Sequence, residues 1–131
     1  MKSLEDVRAD QLVEILGGLL SEPDVAVLAG GFADYMARSG RLAASTGSSG
    51  YWDDDQAFIR LWGFDLDDIT VPVAVWRAEL DLMVPPSHGE WLAARIPGST
   101  GFLKEEDGHV SLMLRHIGDI VAQLAADAGA V

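Results

Sequence analysis

The tightest constraint in this chain is a change of hydrophobic rhythm near residue 63. Beyond it comes "VPVAVW" (71–76), a short β-branched run of the kind found in a strand covered on both faces. "PSHGEWLAARIPG" (86–98) reads as a helix that opens at proline and stops at Pro-Gly. "STGFL" (99–103) is a weaker strand, interrupted by Gly101. Residues 109–126 then carry Val110, Leu114, Ile117, Val121 and Leu124 on one helical stripe. Strand–helix–strand with a crossover of this length predicts two neighbouring parallel strands and a right-handed connection. The expected class is therefore α/β, and helix-rich. A parallel pair is rarely a whole sheet, so the pattern calls for strands that these residues do not supply.

Residues 1–62 keep a helical rhythm. Leu4, Val7, Leu12, Ile15, Leu16 and Leu19 recur at helical spacing behind Ser3 as a cap, with Gly17 and Gly18 weakening the end. "SEPD" (21–24) is a helix start, with Ser21 as N-cap, Pro23 in the first turn and Asp24 three residues after the cap. Val25, Leu28, Phe32, Tyr35 and Met36 continue that period. The small, polar "SGRLAASTGSSGY" (39–51) predicts a loop. "DDDQAFIRLW" (53–62) predicts a short helix with acids at its N-terminal end. The chain thus divides into a helical segment, 1–62, and an α/β segment, 63–131.

Composition removes several classes of function. Twenty-one acidic against nine basic residues leave a net charge of −12, the wrong sign for a nucleic-acid backbone or an anionic membrane. With no cysteine there is no disulfide, thiolate nucleophile or zinc-thiolate site. Residues 1–20 are amphipathic and acidic rather than signal-like, and no apolar run is long enough to span a bilayer. A soluble cytoplasmic protein is expected, with no cofactor and no metal.

Two residues stand where α/β sheets carry chemistry. Asp81 and His109 each follow a predicted strand, 28 residues apart, enough for one crossover helix. A carboxylate behind a histidine holds one imidazole tautomer and stabilises the imidazolium, as a general base requires. On position alone, Asp81 reads more readily as a turn or helix-capping aspartate and His109 as an ordinary first residue of a helix. His88 and His116 read as surface or helix-face residues. His109 and His116 share a helical face, but the sequence offers no further ligand for a metal.

The stretch "GFDLDDITVPVAVWRAELDLMVPPSHGEWLAARIPG", followed by "EEDGHVSLMLRHIGDIVAQLA", resembles the C-terminal end of an α/β-hydrolase. The resemblance covers residues 63–126, about half of the chain. It implies that Asp81 is the catalytic acid and that His109, in "DGHVSL", is the catalytic histidine. Met83 and Val110, beside them, are implied to face substrate. Residues 1–62 are similar to the helical cap of such enzymes, whose aromatics (here Phe32, Tyr35, Trp52, Phe58 and Trp62) read more readily as core than as an acyl pocket. The family order of nucleophile, acid, then histidine implies a serine segment upstream of residue 1.

The chain also departs from that pattern. "TGSSGY" (46–51) has Tyr51 where the G-x-S-x-G elbow needs glycine, and no β-branched strand precedes it. No glycine loop follows a strand to supply oxyanion-hole amides. Arg77 and Ala78 stand where many relatives have His-Gly, which sets a charge near Asp81. An acid and base without nucleophile or oxyanion hole lack the largest catalytic contributions. The expectation is a truncated or split fragment of a serine-type hydrolase of an ester, amide or related bond, inactive alone. The alternative is a non-catalytic interaction or oligomerisation module. An open edge at 71–76 predicts a homodimer through that edge or through exchanged cap helices, with a complementing hydrolase half as the other partner.

Overall fold

The computed structural model describes residues 6–47 and 49–129. The protein is a helix-rich α/β chain with a two-stranded parallel sheet. It divides into two compact units, neither of them contiguous in sequence. One comprises the described residues up to Leu16 together with Leu28–Phe64; the other joins Gly17–Val27 to the residues from Asp65 onward.

The first unit is helical. A 3-10 turn at Ala9–Gln11 leads into α1 (Leu12–Leu16), then α3 (Gly30–Ala44) and α4 (Ser49–Phe58) follow. Ser3 and Leu4 lie outside the described residues. The apolar period through residues 25–36 predicts one helix, but the chain breaks at Ala29, which is extended, and Gly30, which takes φ +55°. A left-handed backbone costs glycine little, so the break falls there. The expected loop at 39–51 is largely helical: α3 continues to Ala44. Its small residues serve packing, since Ala33, Ala37 and Ala44 are buried, and Gly40 lies beside the Val7 side chain. Arg41 also donates to the Val7 carbonyl at 2.6 Å. The next helix starts at Ser49, just past Gly47 at φ +91°, so Asp53–Asp55 fall inside it rather than at its N-terminus.

The second unit holds α2 (Glu22–Val27), β1 (Ala74–Ala78), α5 (Pro86–Arg95), β2 (Thr100–Lys104) and α6 (His109–Gly129). The strands are parallel, with Ala74 opposite Thr100 and Ala78 opposite Lys104. Side chains alternate between the two faces. On one face, Arg77 and Gly101 meet α5: a Cβ on Gly89 would stand 3.0 Å from that of Arg77, and one on Gly101 would stand 3.3 Å from that of Ala93. Gly101 therefore belongs in the strand as the place where α5 comes close. On the other face Trp76 stacks on Phe102 at 4.5 Å, with His116 of α6 beside it.

Among the described residues only one side of β1 is paired. Thr100 donates to the Val73 carbonyl at 2.9 Å and Glu79 to that of Lys104 at 3.0 Å. The odd-numbered residues of β1 therefore bond toward β2, and the backbone groups of Ala74, Trp76 and Ala78 point to the opposite edge. No strand lies there among the described residues. None of the helices is long and apolar enough to cross a membrane, among the described residues.

Candidate functional site

The site forms where the carboxyl ends of β1 and β2 come together. After Ala78 the chain stays tied to the neighbouring segment, with Glu79 donating to the Lys104 carbonyl and Leu80 to that of Asp107 at 2.9 Å. That places Asp81 beside the start of α6. One carboxylate oxygen, Oδ1, accepts from the amides of Met83 and Val84, both at 2.8 Å, which closes an Asx-type turn and fixes the side chain. The other oxygen, Oδ2, lies 2.9 Å from Nδ1 of His109. The Asp81 side chain is 10% exposed, against 42% for His109.

This geometry has a chemical consequence. An ionised carboxylate only accepts hydrogen bonds, so the pair selects the imidazole tautomer protonated at Nδ1. Nε2 is then left with its lone pair, and it makes no hydrogen bond among the described residues. Such a ring can take a proton from a group presented at its exposed side.

His109 is the first residue of α6, and its placement depends on a residue far away in sequence. Gly108 precedes the helix and has no side chain with which to cap it. Asp24 supplies the missing cap. Its Oδ2 accepts from the His109 amide at 3.1 Å, and its Oδ1 accepts from the amides of Val110 and Ser111, both at 2.9 Å. These are amides that no intrahelical carbonyl can satisfy, and the helix dipole favours the negative charge. The hydroxyls of Ser21 (2.8 Å) and Ser111 (3.0 Å) and the Ser21 amide also donate to Asp24. Ser111 Oγ accepts in turn from the Gly108 amide at 2.7 Å.

Asp24 and Ser111 are both fully buried. Burial pushes the Asp24 carboxyl up, but the hydrogen bonds from Ser111, Ser21 and Val110 outweigh it and hold the group below the ordinary carboxylate range. Gly108 is required by the same crowding. A Cβ there would lie 2.0 Å from Ser21 Oγ and 2.2 Å from Asp24 Oδ2.

The sequence-predicted residues thus divide into groups. Asp81 and His109 come together. Met83 and Val110 flank them, half-buried, their amides bonded to Asp81 and Asp24 respectively. Arg77 is turned toward α5, where Nη1 lies 3.8 Å from Glu90; among the described residues it makes no ion pair with Asp81. His88 is exposed in the first turn of α5. His116 is more than a helix-face residue, with Nε2 2.7 Å from the buried Asp107, which also accepts from Arg115 at 2.8 Å. No cluster that could hold a metal ion is found among the described residues.

Tyr35, Trp52, Phe58 and Trp62 do not form a core; all four are well exposed. An open apolar groove of about 310 Å³ in the helical unit is lined instead by residues including Val7, Leu12, Met36 and Tyr51. Sequence reasoning read Asp24 only as the acid of its own helix start, a role it also has. The signal that could have exposed the second role is Gly108, a helix start without a capping side chain. Comparison with protein-family models, with curated proteins and with solved structures finds no match.

Proposed function

We propose that Asp81 and His109 are the acid–base arm of a serine-type hydrolase resembling the α/β-hydrolases, acting on an ester, amide or related bond. One observation carries this reading: the 2.9 Å bond between Asp81 Oδ2 and His109 Nδ1, at the carboxyl ends of two adjacent parallel strands. Asp81 orients the ring, and His109 Nε2 is the general base. The nucleophile and the oxyanion-hole amides come from polypeptide outside these 131 residues, so the chain alone does not turn over substrate. The site needs no cofactor, and the setting is the cytoplasm.

The test is made in the native source. An antibody raised to this chain is expected to capture a polypeptide or complex that a fluorophosphonate serine probe labels, with labelling abolished by His109→Ala. Capture of an unlabelled protein alone would overturn the reading.

A second reading is supported by the bare edge of β1. Among the described residues no strand bonds the edge-facing backbone groups of Ala74, Trp76 and Ala78. An unpaired row of backbone donors and acceptors favours docking of a further strand, which suits an interaction module that forms a homodimer.

A further inference from the structure

His109 is held at two points by two carboxylates. Asp81 holds the ring through Nδ1 at 2.9 Å, and Asp24 holds the backbone through the amide at 3.1 Å. The two acids lie on separate elements, one just past β1 and the other in α2. The ring reaches Asp81 only if the first turn of α6 starts at the right place and in the right direction. Asp24 sets both, because it accepts from the three amides of His109, Val110 and Ser111 together. Gly108 cannot replace it, and Ser111 Oγ is already engaged with the Gly108 amide.

We propose that Asp24 is the positioning residue of His109, fixing the ring in the tautomer and orientation that leave Nε2 free to act as a base. The inference rests on the reading of Asp81 and His109 as acid and base. It assigns the short α2 segment a part in the site that its distance in sequence conceals. Asparagine at position 24 keeps the shape and loses an acceptor. Whichever way it is turned, an NH2 group faces either the amides of Ser21 and His109 or those of Val110 and Ser111. The serine hydroxyls can rotate to accept from it, whereas the backbone amides cannot.

The experiment reads the tautomer directly in the full chain. Long-range nitrogen–proton NMR at alkaline pH distinguishes imidazole protonated at Nδ1 from imidazole protonated at Nε2, with exposed His88 as the internal reference. The wild-type chain is expected to show His109 as the Nδ1–H form and His88 as the mixture of a free imidazole. Asp24→Asn is expected to return His109 to that mixture and to speed exchange of its amide by about tenfold or more. Asp107→Asn, which removes another buried carboxylate bonded to α6, should leave the His109 tautomer unchanged. A folded Asp24→Asn chain that keeps the Nδ1–H form overturns the positioning role and leaves the acid–base reading standing. A wild-type chain without that form overturns both. Should Asp24→Asn fail to fold, Ser21→Ala weakens the same Oδ2 anchor without removing it. Faster exchange of the His109 amide with a partial loss of the Nδ1–H form is then expected, and no change in either overturns the proposal.

Discussion

Asp24 and Ser111, 87 positions apart, are both fully buried and are joined by two hydrogen bonds, amide to Oδ1 at 2.9 Å and hydroxyl to Oδ1 at 3.0 Å. The contact fastens α2 to the N-terminus of α6. It also makes the start of that helix dependent on the charge of one buried carboxylate.

That dependence is visible in acid. The folded-state Asp24 carboxyl is held low by its donors, so the unfolded chain binds a proton at higher pH than the folded one. The stabilisation is complete above the ordinary aspartate value of about 3.9 and is lost as pH falls through the folded value. Asp24→Asn is expected to cost about 3 kcal/mol at neutral pH, because buried donors lose their acceptor. Urea unfolding at neutral pH and at about pH 3 should show the gap between the two proteins narrowing in acid. A gap independent of pH would contradict a charged Asp24.

Two glycines of the second unit should respond oppositely to alanine. At Gly108 the new methyl would enter the space of Ser21 Oγ and Asp24 Oδ2, and the expected cost is about 3 kcal/mol or more. At Gly118, inside α6, nothing stands within 4 Å of the added carbon. Alanine there should stabilise by about 0.5–1 kcal/mol through helix propensity. Thermal unfolding followed by circular dichroism measures both, and equal shifts would refute the crowding argument.

The isolated chain should hydrolyse an activated short-chain ester no faster than free imidazole at the same concentration. His109→Ala should leave that rate unchanged. A wild-type rate well above imidazole that disappears in His109→Ala would mean that a nucleophile is present in this chain after all.

The open edge of β1 predicts self-association at micromolar concentration, read by light scattering as twice the 14.0 kDa chain. Ala74→Pro removes an edge-facing donor and leaves the β2 ladder intact, because residue 74 faces away from β2. It should shift the equilibrium toward monomer. A wild-type monomer with cooperative unfolding would show that the edge is not an interface.

Local pattern was enough for the second unit's order of strands and helices. The β-branched run before Ala78, Pro86 at a helix start and the stripe from Val110 to Leu124 each act within a few residues, so periodicity and steric preference decide them. Their place just past a strand made Asp81 and His109 visible, but only the resemblance over residues 63–126 set them apart from a turn aspartate and a helix start. Tertiary structure decided the rest. Residues 39–44 look like loop, yet α3 runs through them, with Ala37 and Ala44 buried and Gly40 beside Val7 within the helical unit. Gly101 looks like a strand breaker, yet it is the point where α5 approaches β2. Asp24 looks like the acid of its own helix, yet it caps another helix 85 positions away. A buried carboxylate takes whatever donors surround it in space, and no spacing in sequence encodes which helix start will lack a cap of its own.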